Sequence, residues 1–266
     1  MSRVRIALAA FVALSISLLA FSSPVAAQDA RIHLIHGIPD TDVDVEANGD
    51  NVFEGFQFGD TQDLSSLAGA TLSGVKVKLA GTDTVAIDAG DVALPSSGNI
   101  TAIAHLDADG TPTLSIFSND TSNTAAGEGR LIVRHTAAAP AVDIKANGDV
   151  AFANVSNGEE GKADLPTGTI SAEVVPTGAD DPVVIGPADL PIAEGEALVV
   201  YAVGSLDDGN LTVLTESITG LHTNPNQVNT GNSPVSSGLN VAALVAALGA
   251  VVVVFGGSQA LARRNG

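Results

Sequence analysis

The chain predicts an all-β protein: two tandem immunoglobulin- or transthyretin-like antiparallel β-sandwiches, preceded by a signal peptide and followed by a transmembrane helix. Three observations carry this. The stretch 31–50, RIHLIHGIPDTDVDVEANGD, returns 99 positions later at 130–149 as RLIVRHTAAAPAVDIKANGD. Between the two ends apolar and polar residues alternate with period two, and no helix-period segment interrupts them. Each end carries an apolar run free of acidic residues, and all 30 acidic residues lie between them.

The N-terminal run is read first. Arg3 and Arg5 give a positive start, 6–21 is apolar, and Val25-Ala26-Ala27 offers small residues for cleavage, which is the pattern of a secretory signal peptide over 1–27. A repeat of about 100 residues is too long for a solenoid unit and fits a duplicated small domain, so 28–120 and 129–220 are expected to be the two sandwiches. Within the first, Ile32, Leu34 and His36 alternate with Arg31, His33 and Ile35, Val43 and Val45 with Asp42, Asp44 and Glu46, and Val75, Val77 and Leu79 with Lys76 and Lys78. Such alternation marks strands with one buried face. Asn48-Gly49 and Asn147-Gly148 predict tight hairpins, because both residues tolerate positive φ. Asp109-Gly110 and Asp208-Gly209 predict a later hairpin in each copy, and the candidates sum to about seven strands per copy. The join 119–129, NDTSNTAAGEG, is small and polar and reads as a short linker.

Residues 221–238 are polar, rich in Asn, Pro, Gly and Ser, and read as a disordered stalk. Residues 239–261 contain no charge and just reach the length needed to cross a bilayer. Arg263 and Arg264 follow, so 262–266 is expected as a cytoplasmic tail with the body outside the cell. The stretch 227–231, QVNTG, matches a Leu-Pro-x-Thr-Gly sortase signal only at Thr230 and Gly231, which leaves covalent cell-wall attachment as an alternative fate of this end.

Composition narrows the function classes. There is no Cys, so neither disulfides nor thiol chemistry is available. Between the apolar ends only Arg31, Lys76, Lys78, Arg130, Arg134, Lys145 and Lys162 oppose the 30 acids, a net charge of −23 that repels nucleic acid and anionic lipid.

An opening strand ending in His, a Pro-containing bend, Val-Asp-Val and an Asn-Gly turn together resemble the DUF4397 family of secreted bacterial and archaeal proteins. The carrying residues are His36-Gly37-Ile38-Pro39, Val43-Asp44-Val45 and Asn48-Gly49, and, in the second copy, His135 through Pro140, Val142-Asp143-Ile144 and Asn147-Gly148. The family usually shows His-Ala-Ser-Pro; the first copy has Gly-Ile in the middle and the second shifts the Pro by one place. The resemblance covers roughly 31–220 and implies an envelope-associated β-sandwich module in two tandem copies. It brings no catalytic residues.

The paired polar candidates are His36 with His135 and Asp44 with Asp143. Each His could contact a ligand or metal at one pole of its sandwich, or could hold the adjacent Pro39 or Pro140 bend through a hydrogen bond. Asp42, Asp44 and Glu46 share a strand face, and hard oxygen donors of this kind suit Ca²⁺. An EF-hand loop is excluded: counting from Asp44, Gly49 is sixth, but the twelfth residue is Gly55 rather than Glu. Copy two replaces the stripe by Ala141, Asp143 and Lys145, which favours a solvated strand face. Asp107-Ala108-Asp109-Gly110 and Asp207-Asp208-Gly209 read as turns, since Asp and Gly are what tight turns require. His33, His105 and His222 have no counterpart and are expected at the surface or in the stalk.

No Gly-x-Ser-x-Gly elbow, Walker loop or His-Glu-x-x-His occurs. The expected function is therefore non-enzymatic: a cell-surface-anchored tandem β-sandwich for adhesion, ligand binding or envelope structure, with an envelope polymer or surface protein as partner. A Ca²⁺- or carbohydrate-binding module is the alternative, and a glycan hydrolase a weaker one.

Overall fold

Period-two alternation becomes sixteen strands within residues 30–222, the part of the chain that the computed structural model describes. The expected signal peptide, transmembrane segment, tail and sortase-like stretch, and the stalk beyond His222, lie outside the described residues. In the first copy the strands are β1 (Arg31–His36), β2 (Val43–Ala47), β3 (Asp50–Phe56), β4 (Thr61–Asp63), β5 (Thr71–Leu79), β6 (Val85–Ala93), β7 (Asn99–Leu106) and β8 (Pro112–Ser118). The second copy has β9 (Glu128–His135), β10 (Val142–Ala146), β11 (Asp149–Val155), β12 (Glu160–Pro166), β13 (Gly168–Pro176), β14 (Ile185–Ile192), β15 (Glu196–Val203) and β16 (Thr212–Thr219). Each copy thus has eight strands rather than seven.

The strands form four sheets in two matched pairs. Sheet order β4-β1-β7-β8 repeats as β12-β9-β15-β16, and β3-β2-β5-β6 repeats as β11-β10-β13-β14. The expected antiparallel arrangement needs one correction. The first strand of each copy pairs parallel with the seventh, β1 with β7 and β9 with β15. Alternation reports which face of a strand is buried and carries no information on the direction of its neighbour.

The recurring Ala-Asn-Gly-Asp stretch is explained locally. Asn48 and Gly49 have φ of 57° and 86°, and Asn147 and Gly148 of 53° and 90°, the conformation of a two-residue hairpin turn that suits the strand twist. The Asn side chains do a second job. Asn48 Oδ1 accepts the Ser73 amide at 2.9 Å, and Asn147 Oδ1 the Ser171 amide at 3.0 Å, which ties each hairpin to the next strand of its sheet.

Each sandwich closes a core between its two sheets. Ile32, Leu34, Val43, Val45, Phe56 and Val77 fill the first, and Leu131, Val133, Val142, Ile144, Val174, Leu198 and Val200 the second. A third core was not expected. The outer faces of β1, β7 and β8 pack on those of β9, β15 and β16, burying Ile35, Ile103, Phe117, Ile132, Val199, Tyr201, Val203 and Ile218. The central strands of these two sheets, β1, β7, β9 and β15, are therefore largely buried on both faces, and the two sandwiches fall within one compact unit. Among the described residues, every strand finds a partner and all three cores are closed.

Two residues of the short join between copies take part in this packing. Asn119 and Thr124 are buried. The Thr124 amide donates to the Leu221 carbonyl at 2.9 Å. Arg130, also buried, grips Asp164 through Nε at 2.7 Å and Nη2 at 2.9 Å, and its Nη1 donates to the carbonyls of Asp120 and Ser122. Its counterpart in the repeat, Arg31, is exposed.

Candidate functional site

The paired histidines are spent on their bends. His36 is fully buried, and its Nε2 donates to the Thr41 carbonyl at 2.6 Å while the ring stacks on Phe56 with centroids 5.8 Å apart. His135 does the same toward the Pro140 carbonyl at 3.0 Å. Burial lowers both imidazole pKa values, since the charged form would lose its solvation. They differ at the other nitrogen: His135 Nδ1 accepts the Ala137 amide at 3.4 Å, whereas His36 Nδ1 is buried without a partner among the described residues.

The paired aspartates hold backbone together. Asp44 Oδ1 accepts the Gly55 amide at 2.8 Å and Oδ2 the Gly81 amide at 2.9 Å. Asp143 reaches the Asn154 amide at 2.7 Å and the Gly178 amide at 2.9 Å. Gly55 and Asn154, with φ of 61° and 54°, sit where the register of β2 against β3, and of β10 against β11, slips. Each carboxylate thus staples an irregular stretch of its neighbouring strand to the turn after β5 or β13. These backbone donors hold both carboxyls below the usual range.

The acidic stripe is not one ligand set. Asp42 is exposed, Asp44 is saturated by amides, and Glu46 pairs with Lys78 at 3.0 Å and Lys76 at 3.6 Å. In copy two, Lys145 replaces Glu46 and pairs with Asp180 at 2.6 Å. Among the described residues no group of three His, Asp or Glu side chains converges as a metal site. The first Asp-Gly loop is a side-chain-closed turn, in which Asp107 Oδ1 accepts the amides of Asp109 and Thr111 at 3.0 and 2.8 Å. Two unpaired histidines depart from the expected surface positions. His105 is fully buried, with Nε2 2.7 Å from the Ser115 hydroxyl, and His33 lies at the junction of the sandwiches.

That junction holds a polar cluster which the repeat did not reveal. Glu216 of β16 lies 2.5 Å from His33 Nδ1 and accepts the hydroxyls of Thr101 and Tyr201, both at 2.9 Å. Tyr201 accepts Arg134 Nη1 at 2.8 Å; Arg134, fully buried, donates onward to Asn119 at 2.7 Å and Glu160 at 2.9 Å, and lies over the Phe117 ring at 4.3 Å. The hydrogen bond to Glu216 raises the His33 pKa against the effect of burial. Burial alone would raise Glu216, but His33, Tyr201 and Thr101 outweigh it and hold the carboxyl low. Burial pushes the Tyr201 phenol well up. Every charge here is paired, the condition under which a buried network is tolerated. Chain matching through the ladders pairs His33 with Ile132, Ile35 with Arg134, Thr101 with Val199, Ile103 with Tyr201 and Phe117 with Glu216. At each pair one copy is apolar and the other polar, so the two faces are complementary rather than alike. The continuous run Ala197-Leu198-Val199-Val200-Tyr201-Ala202-Val203 was the available signal, because an unbroken apolar strand is one buried on both sides.

One recess is lined by apolar side chains throughout. Between the sheets of the first sandwich, at the pole where β1 and β7 begin and the β2–β3 hairpin turns, lies a cavity of about 120 Å³. Its walls include Leu34, Val45, Phe53, Leu72, Val92, Ala102 and Leu114, and all the side chains that line it are apolar. Val52, Leu67 and Ile116 stand at its edge, with Ile116 57% exposed.

Residues 30–145 match the family described as Domain of unknown function (DUF4397). The matched stretch spans the whole first sandwich and continues through β9 into β10. No curated protein matches the chain.

Proposed function

We propose that this protein is a non-enzymatic surface protein, exported by its N-terminal segment and held to the membrane by its C-terminal one, whose two sandwiches act as a single ligand-binding body. The observation that carries this reading is the third core. Two beads on a linker would move independently; a shared core with a bonded polar cluster holds the loops of both copies in one fixed relation, which favours engagement of an extended envelope polymer or a surface protein. The second copy, with the same sheet orders as the first, is read as a further domain of the same family and of the immunoglobulin- or transthyretin-like class.

The soluble piece 28–223, which contains all three cores, is the material for the test. Arrays of envelope glycans and surface proteins are expected to return saturable binding without product formation. Hydrolytic turnover of an envelope polysaccharide would overturn the reading. Mass spectrometry of the mature protein checks the tether, with a new N-terminus at Gln28 and an intact 239–261 segment expected; cleavage after Thr230 would replace the membrane anchor by wall attachment.

A further inference from the structure

We propose that the inter-sheet cavity of the first sandwich binds the end of an unbranched alkyl chain whose head group is neutral or cationic. This deepens the functional reading above by assigning a ligand class to one place on the body. Three observations meet here.

The cavity wall differs between the copies. Matching the ladders places Val45 against Ile144, Ala102 against Val200, and Val92 against Leu190. At these three the second copy carries the larger side chain, and Ile144, Val200 and Leu190 are buried in its core, whereas at Leu34, Leu114 and Val52 it carries the smaller Val133, Val213 and Ala151. Ile116, at the edge of the cavity, is matched by the polar Thr215. The wall of the cavity is thus shaped by residues the second copy does not share, and its rim is apolar at Ile116 where the second copy is polar.

Its size and lining define the occupant. An engineered cavity of about 150 Å³ lined by the same residue types stays dry and takes benzene, so about 120 Å³ of purely apolar wall accepts a short run of methylenes and offers water nothing to bond.

Its mouth selects the head group. The cavity shares Val92, Ala93, Leu114 and Ile116 with a shallow groove between β6 and β8, and Asp88 and Asp91 line that groove. No basic residue lines either recess, and although Lys76 stands across the β5–β6 ladder from Asp88, the two aspartates leave the groove net negative toward a carboxylate or phosphate head.

The test titrates hexylammonium, hexanol and hexanoate into residues 28–223 and follows methyl resonances by NMR. Saturable shifts at Val92, Leu114 and Ile116 are expected with the first two, and at least tenfold weaker binding with hexanoate. Ala102→Val, which installs the residue of the second copy, is expected to abolish the shifts and to melt higher than the parent without ligand, since it fills space. Val92→Leu serves in the same way if Ala102→Val does not fold. Absence of saturable shifts, retained binding in the filled variant, or hexanoate binding as tightly as hexylammonium would each overturn the proposal. Glycan turnover would sink the functional reading and leave these outcomes unchanged, so the two can fail separately.

Discussion

The first sandwich lines its inter-sheet cavity with Ala102 and Val92 where the second carries Val200 and Leu190, although the two share strand order, hairpin turns and aspartate staples. Gly161 shows a second difference in packing. A Cβ there would stand 2.3 Å from the Phe152 ring, so the bare glycine lets the ring lie directly over β12. In the first copy the matched position, opposite Leu34 as Gly161 is opposite Val133, holds Gln62, and Phe53 lines the cavity instead. The outer faces diverge in another way, toward complementarity. The comparison teaches that duplication kept what local geometry demands, the turns and staples, while the surfaces that meet something else were free to change.

The largest expected effect breaks the complementary junction. Arg134→Ala removes the donor to Tyr201, Asn119 and Glu160 and leaves buried polar partners open, which should cost about 3–5 kcal/mol in urea unfolding. The matched Ile35→Ala removes only apolar contact. If Arg134→Ala leaves the unfolding midpoint unchanged, the polar cluster is not what fastens the two sandwiches.

Val200→Ala sharpens the difference between the cores by hollowing the second at the position where the first has Ala102. A loss of about 1–3 kcal/mol is expected from the transfer and cavity terms. A neutral outcome would mean that the second core is no tighter than the first.

The smallest effect is the pH dependence of the His33–Glu216 pair. His33 titrates above its ordinary 6.5 in the folded protein, so its contribution is complete below about pH 6.5 and is lost as pH rises through the folded value. Glu216 titrates below 4.5, so its share is present above about pH 4.5 and is lost as pH falls through its folded value. The pair therefore stabilises most between about pH 4.5 and 6.5. Buried His36, His105 and His135, with lowered pKa values, act oppositely, contributing above about pH 6.5 and losing that contribution as pH falls. Comparison with His33→Asn cancels those three. The gap between parent and variant should be widest near pH 6 and narrow toward pH 8; a gap that does not change with pH would remove the charged pair from the junction.

Much of each sandwich was legible in the chain. Ile32 and Leu34, Val43 and Val45, and Val75 and Val77 face the cores as their alternation indicated, and the Asn-Gly and Asp-Gly turns fall where they were expected. The paired His and Asp residues were found by comparing the copies, and their partners proved to be backbone groups. Those partners, Thr41 and Pro140 carbonyls and the Gly55, Gly81, Asn154 and Gly178 amides, carry no side-chain signature, so no residue pattern could announce them.

What the sequence determined by itself was the strand faces, the turns and the duplication, because period and positive φ are properties of a residue and its near neighbours. The parallel pairing of β1 with β7, the third core and the cavity of the first sandwich were decided by tertiary structure alone. Each depends on side chains brought together from strands tens of residues apart, and whether Ala102 leaves a hollow depends on what stands across from it. For the repeat at 31–50 and 130–149 the two levels part at one boundary: its turns follow from local chemistry, and its His33 and Arg134 acquire a role only when one copy meets the other.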